Sequence, residues 1–157
     1  MAVKIRELKK EEYPLLRDFL YEAIFVPEGM SAPERSIIER PELAMYYENF
    51  GSGKADHCLV AETEGKVIGA VWTRIMHDYG HVDDETPSLA ISLYREYRGQ
   101  GIGTALLEEM LHLLKQRGYR RVSLSVQKQN RALRMYERAG FVPVKETEEE
   151  FIMIRER

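Results

Sequence analysis

The sequence is short of several features that would point to familiar functions. It has one cysteine, Cys58, which excludes an internal disulfide and leaves too few thiolates for a cysteine-built zinc centre. No apolar run approaches membrane-spanning length, and the opening Met-Ala-Val-Lys-Ile-Arg forms no apolar signal core, so a cytoplasmic protein with no membrane partner is expected. Positive charge is not in excess: 23 basic residues face 26 acidic ones, for a formal net charge of -3, which gives nucleic-acid binding no electrostatic footing. Internal repeats and low-complexity tracts are missing too. What remains is a chain of 157 residues, 44% hydrophobic, the size and composition of a single domain (1–157) around one core.

The informative stretch is Tyr94-Arg-Glu-Tyr-Arg-Gly-Gln-Gly-Ile-Gly103, which follows the apolar run Leu89 to Leu93 and opens into Thr104 to Lys115. Leu106, Leu107, Met110, Leu111 and Leu114 recur there at helical spacing. The pattern is a strand, a glycine-rich basic turn and a helix. Glycines 99, 101 and 103 let the backbone take left-handed angles and let a ligand approach the N–H groups. Those donors, with the unpaired amides and positive dipole end of the helix, suit anionic oxygens, and Arg98 adds a cation at the rim. The first inference is a phosphorylated ligand, a pyrophosphate before a lone carboxylate.

Two better-known phosphate loops do not fit. A P-loop needs Lys then Ser or Thr after its last glycine, whereas Gly103 is followed by Thr104 and Ala105. The dinucleotide fingerprint needs a sixth-position glycine, and counting from Gly99 that position is Thr104. The acidic residue expected about 20 positions on is absent as well, since that region reads Tyr119-Arg-Arg-Val122.

Elsewhere, Val3 to Leu8 alternates as a strand, and Lys10 to Phe25 carries a helical stripe ended by Pro27 and Gly29. Ser31 to Phe50 reads as a helical region in two pieces, the first opened by a Ser31/Glu34 capping box, the second after Pro41. Its Tyr46 and Tyr47 read as packing aromatics before pocket residues. Cys58 to Glu62 and Lys66 to Met76 form a hairpin about Glu64-Gly65, with Trp72 and Met76 in the core. Gly118 closes the long helix and Arg121 to Val126 is a strand. A short helix capped by Asn130 carries Tyr136 and ends at Gly140, and Val142–Val144 and Phe151–Ile154 are the last strands. These elements give an α+β, three-layer α/β/α fold whose mixed, mostly antiparallel sheet has six to seven strands flanked by helices. The loop His77-Asp-Tyr-Gly-His-Val-Asp-Asp-Glu-Thr-Pro87 places Asp83, Asp84 and Glu85 just before a central strand. It is either a solvated acidic loop or a pocket that attracts a cationic amine and helps to deprotonate it.

Two segments together, Ile91 to Gly103 and Asn130-x-Ala132-x-x-x-Tyr136-x-x-x-Gly140-Phe141, resemble the GNAT superfamily of acyl-CoA-dependent N-acyltransferases, and the element order resembles its fold over essentially the whole chain. The resemblance implies acetyl-CoA as co-substrate, with no metal. In such a protein Arg98, Gly99, Gln100, Gly101, Ile102, Gly103 and Thr104 cradle the pyrophosphate, mainly by backbone N–H groups. Ile91 and Leu93 pair with the pantetheine arm, Asn130 hydrogen-bonds that arm near the thioester, and Tyr136 protonates the leaving thiolate. The amine attacks directly, so Cys58 need not be a nucleophile. The family fixes no single base; Asp84 and Glu85, acting directly or through water, are the candidates. Members often carry proline two residues after the fourth strand, where Arg95 stands here. A small-molecule or protein amine is the expected acceptor and homodimers are common in such folds. The competing reading is a silent acyl-CoA-binding or sensing module, which has no use for Tyr136.

Overall fold

A computed structural model describes residues 2–156. The described residues form seven strands and four α-helices, in the order β1 (Lys4–Glu7), α1 (Leu15–Ala23), α2 (Pro41–Ala44), β2 (His57–Thr63), β3 (Lys66–Arg74), β4 (Ser88–Leu93), α3 (Ile102–Gln116), β5 (Arg121–Gln127), α4 (Ala132–Arg138), β6 (Val142–Glu146) and β7 (Glu150–Glu156). One sheet runs in the order β1-β2-β3-β4-β5-β7-β6, antiparallel throughout except between β4 and β5. No helix among the described residues is long and apolar enough to cross a membrane.

Strand alternation divides the apolar residues between two faces. Leu89 and Leu93 of β4 and Val122, Leu124 and Val126 of β5 pack with the α3 stripe and with Tyr136 and Phe141. On the opposite face, Val60, Ala70 and Trp72 pack against Leu16, Phe19 and Leu20 of α1 and against Ile38. The α/β/α layering follows from these two clusters. The β2–β3 hairpin turns through Glu64 and Gly65, both at positive φ (51° and 78°), as a tight two-residue hairpin requires.

Three sequence expectations shift. The stripe from Lys10 is not one helix: Lys10–Glu12 is a 3-10 turn and α1 begins after Pro14, whose ring nitrogen has no hydrogen to continue a ladder. The Ser31/Glu34 capping box does not form, because residues 31–34 have no regular structure, Glu34 is extended, and a 3-10 turn starts only at Arg35. The carbonyl of Pro33 instead accepts a hydrogen bond from Tyr21 at 2.5 Å, and Asp18 pairs with Arg35, so α1 holds this segment from outside. β3 stops at Arg74, two residues before Met76. There the guanidinium turns inward to Asp56 (3.0 Å) and the carbonyls of Met45 and Glu48.

Candidate active site

The site is a split in the sheet. β4 and β5 share one register pair, Ser88 with Ser123, and the amide of Ser123 bonds the carbonyl of Pro87 at 3.0 Å. Beyond that point the strands diverge. Because Tyr94 donates to Ile68 of β3, alternation turns the N–H and C=O groups of Ile91 and Leu93 the other way, toward the gap. A central strand therefore presents an unpaired edge inside the protein.

At the open end of this wedge lies the glycine-rich turn. Gly99 and Gly101 sit at φ 76° and 84°, where any other residue is strained; Gly103, inside the first turn of α3, does not. The amides of residues 99–104 have no hydrogen-bond acceptor among the described residues, and the first intrahelical bond is that of Ala105 to Gly101. They form a continuous row of free donors at a helix N-terminus, a receptor for oxygens carrying negative charge. Gly103 also marks where helices meet: a Cβ there would lie 3.6 Å from the sulfur of Met135 and 3.8 Å from Cδ1 of Leu93.

Arg98 takes a different post from the one its sequence position suggests. Its amide bonds the Arg95 carbonyl, its Nε donates to the carbonyl of Leu93 at 3.0 Å, and its Nη2 reaches both the carbonyl and the carboxylate of Glu22 at 3.1 Å. The guanidinium thus ties the turn to α1 and occupies the Leu93 carbonyl, leaving the N–H of Leu93 and both polar groups of Ile91 on the gap.

α4 borders the other side. Oδ1 of Asn130 accepts from the Ala132 amide at 2.9 Å, and the side-chain NH2 has no partner among the described residues. Tyr136 is 8% exposed, edge-on to Phe141, and its hydroxyl has no hydrogen bond among the described residues. Burial alone pushes that hydroxyl well above the ordinary tyrosine range, so it holds its proton. Cys58 is buried among apolar side chains and its thiol is likewise pushed up, which leaves it unreactive.

The loop between β3 and β4 seals the closed end of the wedge. Asp83 is a structural residue: it caps the Glu85 amide at 2.8 Å, pairs with Arg121 at 2.5 Å, and is held below its usual range first by the backbone bond to Glu85. Asp84 projects into solvent with its side chain 81% exposed, and Glu85 is exposed beside it. The carboxylate directed at the strand is one the sequence reading passed over, Asp78. It accepts from Ser88 Oγ and from the Tyr46 hydroxyl, each at 2.8 Å. Tyr46 is buried, and burial followed by the Asp78 charge raises its hydroxyl far above the usual value. Tyr46 is therefore both packing residue and hydrogen-bond donor, whereas Tyr47 bonds the Ile38 carbonyl. Asp78 carries a weak signal in sequence: an Asp-Tyr-Gly turn ten residues before a buried serine that opens a strand.

Comparison with known proteins agrees with this geometry. The profile of the Acetyltransferase (GNAT) family matches residues 6–141. A probable N-acetyltransferase, camello, of Xenopus tropicalis is 40% identical over 83 residues, which is 52% of this chain and 36% of the relative. A mycothiol acetyltransferase of Propionibacterium freudenreichii is 34% identical over 85 residues, 53% of this chain and 27% of the relative. The chain thus matches about a third of the length of these curated relatives. Among solved structures, the PaiA N-acetyltransferase of Thermoplasma acidophilum in complex with coenzyme A superposes with a TM-score of 0.71 at 23% identity, covering 100% of both chains. The ribosomal-protein-S18-alanine N-acetyltransferase of Escherichia coli gives 0.69 at 20%, over 99% of this chain and 94% of that one. The seven-stranded split sheet is their fold, and the chain belongs to the GNAT family of acetyltransferases.

Proposed function

We propose that the protein moves an acetyl group from acetyl-CoA to a primary amine by direct attack in a ternary complex. The observation that carries this reading is the row of free amides at residues 99–104 facing the same gap as the unpaired edge of β4. A diphosphate fits the first and an extended amide-bearing arm fits the second, adding to β4 as a strand would. The thioester supplies the activated acetyl group. Residues 99 to 104 hold the diphosphate through backbone N–H groups, with Arg98 fixing the turn beneath them. Ile91 and the N–H of Leu93 pair with the pantetheine arm, and the free NH2 of Asn130 is a donor toward it. A C–N bond forms as the C–S bond breaks, Tyr136 gives its proton to the departing sulfur, and the proton that the nitrogen sheds as it becomes an amide returns to the Tyr136 oxygen through water; a hydroxyl that burial keeps protonated is suited to that task.

The acceptor enters as an ammonium ion and must lose a proton before it attacks. Asp84 and Glu85 at the exposed rim take it through water, and the negative loop draws cations in. Asp78, between Tyr46 and Ser88, orients the amine at the strand. A small cationic amine or an amine on a protein suits this setting. The test is an acceptor screen with acetyl-CoA that reads thiol release. Release that needs both the amine and Tyr136 is expected. Tight coenzyme A binding without turnover on any small or peptide amine would instead make the chain a binding module.

A further inference from the structure

The loop that closes the wedge also holds three metal-ligating side chains that acyl transfer does not need as a set. The potential ligand atoms of His77, His81 and Asp84 all lie within 4.8 Å of one another. We propose that these three residues bind a divalent ion of the zinc class.

The argument begins at His81. Its Nδ1 lies 2.8 Å from the carbonyl oxygen of Met76, and a carbonyl only accepts, so Nδ1 carries the hydrogen. That leaves Nε2 as the functional atom, and it faces Oδ1 of Asp84 at 3.4 Å. In neutral imidazole these are two lone pairs turned toward each other, an arrangement that calls for a positive centre between them. The separation is one that a metal can bridge: tetrahedral zinc, with bonds of about 2.0–2.1 Å, holds neighbouring ligand atoms about 3.3–3.4 Å apart.

The surroundings agree with a ligand set. A ring nitrogen that donates to a backbone carbonyl is the usual outer-shell support of a metal-binding imidazole, since it fixes both tautomer and ring plane. His77 lies against His81, ring centroids 4.3 Å apart and planes 39° from parallel, and its exposed side chain can turn its nitrogen to the same centre. Two imidazoles and one carboxylate suit zinc rather than magnesium or calcium, which prefer all-oxygen shells. Three protein ligands leave one tetrahedral position for water. This site stands on observations separate from the acyl-transfer reading; when filled, it takes Asp84 out of proton transfer and leaves that task to Glu85.

Untagged, chelator-stripped protein is titrated with Zn²⁺ against a chromophoric chelator, and with Co²⁺ by visible absorption. One equivalent of Zn²⁺ and the intense visible bands of four-coordinate Co²⁺ are expected. Asp84→Asn and His77→Ala, both at exposed positions and so neutral for folding, each weaken Zn²⁺ binding at least tenfold. Failure of the parent to take up zinc, or binding by both variants as tight as the parent's, overturns the proposal. The first result leaves His81 and Asp84 as a plain ion pair, and the second places the metal at another histidine.

Discussion

Ser88 and Ser123 face each other in the one register pair that joins β4 to β5 among the described residues, and both hydroxyls are bound to the same loop. Ser88 Oγ donates to Asp78 at 2.8 Å and Ser123 Oγ donates to the carbonyl of Gly80 at 2.7 Å. A Cβ on Gly80 would come within 3.1 Å of the backbone of Leu124 and Ser125, so the loop lies directly on β5. The place where the sheet begins to split is therefore also the place where the β3–β4 loop is fastened. The opening of the sheet and the position of the loop are tied to the same two residues.

Asp78→Asn tests the amine side of the site. An amide replaces one acceptor oxygen with a donor that faces a hydroxyl, and removes the negative charge. The expected result is a fall of about 10- to 100-fold in kcat/KM for a cationic amine, in line with loss of one charge-assisted contact. Affinity for coenzyme A, measured by calorimetry, stays unchanged. Equal loss of cofactor affinity would show that the substitution unfastens the whole wedge.

Tyr136→Phe separates catalysis from folding at one atom. The hydroxyl has no hydrogen bond among the described residues, so its removal leaves the thermal midpoint where it is or raises it slightly. Turnover falls by about 10²- to 10⁴-fold, the usual worth of a positioned general acid. A rate within a few-fold of the parent's would remove Tyr136 from the proposed mechanism and leave the ring an ordinary core role beside Phe141.

The fold was legible where information is local. The apolar spacing of Leu106, Leu107, Met110, Leu111 and Leu114 needs no tertiary knowledge, and all five are buried in α3. The same holds for the hairpin at Glu64-Gly65 and for the free amides that must follow Arg98. Asp78 escaped notice because its meaning comes from Tyr46, 32 residues earlier, and Ser88, ten residues later. The bond from Arg98 to Glu22 is not legible in sequence, because nothing near Arg98 announces a partner 76 positions away. The capping box at Ser31 failed for a related reason: a matching pattern without an apolar stripe behind it has no helix to cap.

Acid should weaken the β1 end of the sheet. Arg6 of β1 binds Glu12 at 2.8 Å and Glu62 of β2 at 2.9 Å. Hydrogen bonding to Arg6 is the main cause that holds the Glu12 carboxyl down at about 2, against an ordinary 4.5. A carboxyl lowered on folding stabilises the native state above its unfolded value, and that contribution is lost as the pH falls through the folded value. Glu12→Gln accordingly lowers the urea midpoint at neutral pH, and its difference from the parent shrinks between pH 4.5 and 2. A difference that is constant with pH would mean that packing, not charge, is lost.

The glycines of the turn make different predictions for stability and binding. Gly101 lies at φ 84° with open space around it, so Gly101→Ala meets no clash but must hold a left-handed backbone, at a cost of about 1–2 kcal/mol. It should lower the melting temperature and, by shifting the amides, weaken coenzyme A as well. Gly103 is helical, and an added Cβ would find only ordinary contacts, at 3.6 Å from Met135 and 3.8 Å from Leu93. Gly103→Ala should therefore raise stability by up to about 1 kcal/mol through helix propensity alone. The added methyl faces Met135 and Leu93 and leaves the N–H groups of residues 99 to 104 uncovered, so affinity for coenzyme A stays at the parent's while the protein melts higher. A Gly103→Ala variant that melts higher yet binds coenzyme A more weakly would mean that the cofactor runs between Met135 and Leu93 instead of resting on the amides alone.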